Sequence, residues 1–214
     1  VQLHRLRRLD DRIAAHLDGL AVAGDYGSKL LMSALETPGP SEVFAATVRA
    51  IEDKDTQRLE RLFSVVEALP EAEAGLTSAF GWVSSQHLQG TVSQLLSSPS
   101  PFRRRIGISA CAMHRVDPGA ALDAAVKDPN PALRARALRT LGELGRRDTL
   151  AALRISLDDE DEGARMWAAW SAVLLGDRGA ALEKLTTVTQ LPGPLRERAM
   201  RLALRAMNLP HAHE

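Results

Sequence analysis

A register that recurs about every 31 residues in the second half constrains this chain of 214 residues more than any other feature. Arginine opens each copy, at spacings of 30, 31 and 31, and a small residue follows three positions later. The arginines of this ladder are Arg104, Arg134, Arg165 and Arg196. Each copy also contains two helical patterns. A period of this length with two helices inside it predicts an α-solenoid, in which each unit buries its apolar face against its neighbours.

Composition supports an all-α fold, because the chain has 33 Ala and 32 Leu but only 4% aromatic residues. We expect an α–α superhelix of about twelve to fourteen helices, built as one continuous solenoid. Residues 1–98 are predicted to form irregular helical pairs, and residues 99–214 regular repeats. Helical patterns in the first part cover 3–19, 26–36, 41–53, 55–68, 72–84 and 86–97, and in the second part 131–144, 148–157 and 163–175.

Two segments carry a resemblance to known families. The segment from Asp128 to Gly145 is similar to the HEAT-like repeats of the phycobilisome-lyase group. Residues 9–20, together with 167–176, resemble a family of bacterial HEAT-like proteins of uncharacterised activity. The resemblance implies a HEAT-like solenoid of antiparallel helix pairs. Because some members are encoded near type VI secretion genes, it also implies a secretion-associated effector or adaptor as an alternative function.

The arginine ladder is predicted to be structural. Each repeat has a first and a second helix, and the turns between them carry Asp128, Asp158 and Asp159. In HEAT-like repeats an aspartate of the turn and an arginine of the second helix hydrogen-bond between repeats, and the resemblance implies the same pairs here. A guanidinium group suits this role because it binds two acceptors at once.

A second set of positions predicts the binding surface. Three successive repeats carry bulky cationic or aromatic residues at two equivalent positions of the second helix, off the Ala/Leu stripe. We call this set the Arg/Trp column; it consists of Arg136, Arg139, Trp167, Trp170, Arg198 and Arg201. Residues 99–214 have 18 basic and 14 acidic side chains, whereas residues 1–98 have 9 and 13. The column is expected on the concave face, with the tryptophans either exposed there or packed between repeats.

Nothing in the sequence has the form of a catalytic motif, and we predict no cofactor and no metal. The single cysteine, Cys111, falls on the core register, and the acidic run 158–162 is expected to cap the helix after it. His211 and His213 form at most a weak metal site. The zero net charge makes nucleic acid an unfavoured partner. A DNA-binding enzyme such as an alkylpurine glycosylase, with Glu143 or Asp161 as its acid, stays an alternative.

The favoured function is therefore a non-catalytic scaffold that binds a protein or peptide partner on its concave face. A bilin-lyase activity is weighed as well, but no reactive cysteine supports it. Because the chain shows no membrane span, no signal-peptide pattern and one cysteine, we expect a cytoplasmic protein.

Overall fold

The computed structural model describes residues 3–177, 179–190, 193 and 195–208. Thirteen α-helices and three short 3-10 helices, with no strand, make up the regular structure of these residues, which confirms the all-α prediction. The α-helices are α1 (Leu3–Val22), α2 (Gly24–Ala34), α3 (Pro40–Glu52), α4 (Thr56–Ala68), α5 (Glu73–Trp82), α6 (Thr91–Leu96), α7 (Pro101–Met113), α8 (Ala120–Ala125), α9 (Pro131–Leu144), α10 (Leu150–Ile155), α11 (Glu162–Leu174), α12 (Ala180–Gln190) and α13 (Arg196–Asn208).

The helices belong to two compact units, which meet in sequence between Gln89 and Gly90. We call residues 1–89 unit 1 and residues 90–214 unit 2. The sequence-based division after residue 98 rests on the regularity of the repeats rather than on compactness. That division, and the continuity of the solenoid, stay predictions.

Unit 1 is organised around α3, which packs against α2, α4 and α5. Its core contains the fully buried side chains of Val43, Phe63, Leu76 and Phe80. Helices α3 and α5 approach so closely that a Cβ atom at Gly75 would collide with the backbone carbonyl of Pro40. Glycine at this position therefore sets the distance between the two helices.

One predicted helix of the first half is much shorter than expected. The pattern over 86–97 predicted twelve helical residues, but α6 covers only Thr91–Leu96. Residues 85–90 form turns instead, and the amide of His87 donates to the carbonyl of Ser84. Gly90 then adopts φ of 82°, a left-handed conformation that interrupts a right-handed helix. The periodic apolar residues could not reveal this interruption.

In unit 2, α7, α9, α11 and α13 contact one another in succession and form one layer. Each repeat consists of a first and a second helix that pack against each other: α8 with α9, α10 with α11, and α12 with α13. Helix pairs of this kind were predicted from the sequence. The second helices α7, α9 and α11 share one N-terminal device: Ser100, Asn130 and Asp161 each accept a hydrogen bond from the amide three positions later. Asp161 belongs to the acidic run 158–162, so this run caps α11 as predicted.

The predicted helix 148–157 is divided into three pieces. A 3-10 turn over Arg147–Thr149 precedes α10, and another over Ser156–Asp158 follows it. The pattern over 148–157 also predicts Asp148 as the N-cap of this helix, and that prediction is wrong, because neither the 3-10 turn nor α10 has a side-chain cap. Its carboxylate instead accepts hydrogen bonds from the Arg146 guanidinium, at 2.9 Å from Nη2 and 3.1 Å from Nε. The backbone of Asp148 is the middle residue of the first 3-10 turn.

Candidate interaction surface

Each ladder arginine first closes its own turn. In Arg104, Arg134 and Arg165, Nη1 donates to the carbonyl oxygen six positions upstream, at 2.8, 2.8 and 2.6 Å, and also to the carbonyl five positions upstream. Arg196 departs from this pattern, because its Nε donates to the carbonyl of Thr189 at 3.0 Å. The first three arginines therefore tie the start of a second helix to the turn before it.

Two ladder arginines also reach the turn of the next repeat. Arg104 Nη2 lies 2.7 Å from Asp128 Oδ2. Arg134 binds Asp159 in bidentate fashion, with Nε 2.6 Å from Oδ2 and Nη2 2.7 Å from Oδ1. These hydrogen bonds from Arg134 are the main reason why the pKa of Asp159 lies below its usual value. Asp159 is thus the acceptor, whereas Asp158, also considered from the sequence, pairs with Lys184 at 2.7 Å.

The tryptophans of the Arg/Trp column are half-buried. Trp167 and Trp170 pack against the core of unit 2, and their rings meet edge to face at a centroid distance of 5.3 Å and an angle of 79°. Guanidinium groups from two other helices lie over Trp167. The Cζ atom of Arg139 on α9 is 4.5 Å from the ring centroid, and that of Arg198 on α13 is 5.6 Å away. Three helices therefore meet at this one indole ring.

Glu143 holds the two arginines of α9 together. Its Oε2 lies 2.6 Å from Arg136 Nη2, and its Oε1 lies 2.7 Å from Arg139 Nε, although that N–H does not point at the carboxylate as a hydrogen bond would. The side chain of Arg136 is only 13% exposed, and burial lowers its pKa while Glu143 opposes that shift. From the sequence alone, Glu143 is a candidate only for a catalytic acid. Its spacing from Arg139, one helical turn, is the signal that predicts an ion pair.

Arg201 has a different environment from the other members of the column. Its Nη2 lies 2.5 Å from Glu197 Oε1 on the same helix, and both side chains are 74% exposed. Arg198 is exposed as well. The structure thus brings Arg136, Arg139, Trp167, Trp170 and Arg198 into one cluster, and gives Arg201 an ion pair at the surface of α13.

The remaining reactive side chains are placed as follows. Cys111 is buried, and desolvation, with a smaller contribution from Asp117, raises the pKa of its thiol. No three His, Cys, Asp or Glu side chains of the described residues come together as a metal site. His211 and His213 lie outside the described residues. None of the helices in the described ranges has the length and apolarity needed to cross a bilayer.

Comparison with known families supports the repeat architecture. Residues 118–205, which include α8 to α12 and most of α13, match the family model of HEAT repeats. A search of curated proteins gave no match. The chain is therefore similar to HEAT repeat proteins over most of unit 2. The more specific resemblances to the phycobilisome-lyase group and to a bacterial family stay predictions.

Proposed function

We propose that this chain is a non-catalytic HEAT-like scaffold, and that unit 2 binds a protein or peptide partner on the face that carries the Arg/Trp column. The match to HEAT repeats supports a scaffold, since solenoids of stacked helix pairs commonly present extended surfaces to other proteins. We place this face on the concave side, because the second helices of such solenoids line that side.

The observation that carries the proposal is the stack of Arg139, Trp167 and Arg198. Tryptophan and arginine are the residues most enriched at interface hot spots, because each offers a large contact area. Here packing against the core restricts the indole ring, and Glu143 restricts Arg139. Side chains that are already ordered lose little entropy when a partner binds. The stack therefore has the composition and the order of a binding hot spot.

Charge favours a partner segment that contains Asp or Glu. The cluster contains three guanidinium groups and one carboxylate: Arg136 and Arg139 pair with Glu143, whereas Arg198 lies over the ring of Trp167. Arg201 and Glu197 neutralise each other nearby. A carboxylate of the partner that approaches Arg198 would meet a planar donor group that binds it in bidentate fashion.

The test removes both guanidinium groups that lie over Trp167. The variant Arg139→Ser with Arg198→Ser is compared with the matched control Lys127→Ser with Arg147→Ser, which removes two exposed cations outside the column. Circular dichroism verifies the fold of each. Photo-cross-linking in a native extract, followed by quantitative mass spectrometry, then measures the proteins retained. We expect the amount of specifically cross-linked protein to fall at least tenfold for the first variant and to stay unchanged for the control.

Two outcomes would contradict the proposal. Equal retention by both variants would show that the partner binds elsewhere. Recovery of DNA rather than protein, with a steep salt dependence that the column variant abolishes, would favour the DNA-binding alternative instead.

A further inference from the structure

A groove separates two helices of unit 1. Helices α2 and α4 both pack against α3, and a space of about 710 Å³ opens between them. Met32 on α2 and Leu35 directly after this helix line one side, and Leu62 and Val65 line the other side from α4. Leu62 forms a buried floor at 1% exposure, whereas Met32 is 48% exposed. The groove therefore offers an apolar surface that the described part of unit 1 leaves accessible.

The rim of this groove is positively charged. Lys29 and Arg61 line it and are exposed; Arg58 lines it as well and forms an ion pair with Asp55 at 3.3 Å. Glu36 is the acidic residue among the lining side chains. This contrasts with unit 1 as a whole, where residues 1–89 have 9 basic and 13 acidic side chains. Cations are thus concentrated at the groove of an otherwise acidic unit.

We propose that this groove docks an amphipathic α-helix of a partner protein, whose apolar side chains insert between α2 and α4 and whose acidic flank faces Lys29 and Arg61. The site lies in unit 1 and is independent of the function proposed for unit 2. An apolar groove between two helices accepts a third helix through side chains at positions i, i+3, i+4 and i+7. A helix with an acidic flank complements the basic rim.

The dimensions favour a helix over a single acyl chain. The lining residues lie within 28–36 on one side and 58–65 on the other, so the groove extends over a little more than two helical turns. Apolar surface also continues along α2 outside the groove, because Tyr26 is 67% exposed and Leu30 is 46% exposed. A partner helix about 10 Å in diameter would contact both the groove and this flank.

The experiment uses the full chain and designed peptides of about 14 residues, labelled with fluorescein, in which Leu repeats at i, i+3, i+4 and i+7. One peptide has Glu on its flanks and a second has Lys. A third has the composition of the first with the order scrambled. Fluorescence anisotropy gives each Kd. We expect the Glu peptide to bind at least tenfold more tightly than the other two, and a higher salt concentration to reduce this preference.

Substitutions then locate the binding site. Met32→Glu should weaken binding of the Glu peptide at least tenfold, whereas Leu9→Glu, a change on α1 at nearly equal exposure and outside the groove and its flank, should alter Kd less than threefold. Arg61→Glu should shift the preference toward the Lys peptide, with Arg12→Glu on α1 as its control. Circular dichroism confirms that all four variants are folded.

Three results would overturn the proposal: equal binding of the Glu and Lys peptides, equal effects of Met32→Glu and Leu9→Glu, or no binding of any peptide up to about 1 mM. Saturable binding of decanoate that Met32→Glu abolishes, without peptide binding, would assign the groove to a small anionic amphiphile instead. Because the column variants of unit 2 leave Met32 and Arg61 intact, failure here is distinguishable from failure of the function proposed for unit 2.

Discussion

Ser171 on α11 lies so close to Gly142 on α9 that a Cβ atom at position 142 would stand 2.5 Å from the Ser171 hydroxyl oxygen and 2.8 Å from its Cα. The same hydroxyl donates a hydrogen bond to the carbonyl of Leu138 at 2.8 Å. Ser171 is fully buried, so this bond satisfies its only donor. The contact between these two second helices thus depends on a glycine opposite a serine.

The first prediction is that Gly142→Ala destabilises unit 2. Alanine would favour the helix by about 1 kcal/mol, but overpacking against the backbone of α11 costs about 1–3 kcal/mol, and the seam contains no flexible side chain that can yield. Gly19→Ala is the matched control, because a Cβ added in this position of α1 would have no atom within 4 Å other than those of its chain neighbours and of the helix's own backbone. Urea unfolding should show a loss of stability for Gly142→Ala and a small gain for Gly19→Ala. The same sign for both would contradict the close approach.

The second prediction concerns the pair of Arg134 and Asp159. The two side chains are only 16% and 11% exposed, so removal of the carboxylate leaves a poorly solvated guanidinium group without its acceptor. We expect Asp159→Asn to lower the free energy of unfolding by about 2 kcal/mol. Asp158→Asn, which breaks an exposed pair with Lys184, should cost less than about 0.5 kcal/mol. Urea denaturation of both variants at pH 7 measures the difference, and equal losses would be inconsistent with a structural ladder.

The third prediction is the pH dependence of that pair. Because Arg134 holds the pKa of Asp159 below its value in the unfolded chain, the ionised carboxylate favours the folded state. This stabilisation is complete above the unfolded pKa of about 3.9 and is lost as the pH falls from there through the lower folded pKa. The difference in unfolding free energy between the natural chain and Asp159→Asn should therefore shrink as the pH is lowered below about 4. A difference that stays constant over this range would contradict the lowered pKa.

The fourth prediction tests the seam between repeats. Ala137 and Ala168 are fully buried at equivalent positions of α9 and α11. Ala137→Glu or Ala168→Glu would place a carboxylate in this seam without a partner, which we expect to cost more than about 3 kcal/mol or to prevent folding. Ala151→Glu on α10 is exposed and serves as the control. Thermal unfolding followed by circular dichroism measures all three. An unchanged melting temperature for both seam variants would mean that these faces are wrongly placed.

The sequence predicts the structural features that recur in successive repeats, but it does not predict those that occur only once. The period located α9 and α11 within one residue, and three of the four ladder arginines bind the turn before their helix, because successive repeats bury the same helix faces with similar residues. The left-handed Gly90 and the α9–α11 approach at Gly142 are single events, without a periodic signal. The groove between α2 and α4 could not be foreseen either, because it depends on how far two helices diverge rather than on their residues.

The fifth prediction separates support from binding within the Arg/Trp column. The guanidinium group of Arg136 is largely buried, and its Nε has no hydrogen-bond acceptor, so it depends on Glu143. Glu143→Gln should therefore destabilise the protein by about 2 kcal/mol, whereas adding Arg136→Met to this variant should recover much of the loss, because a methionine leaves no charge to desolvate. A double-mutant cycle in urea measures the coupling, expected at about 1–2 kcal/mol. Additive effects would show that the guanidinium group of Arg136 is sufficiently hydrated without Glu143. In that case Glu143 would be available to a partner rather than required by the fold.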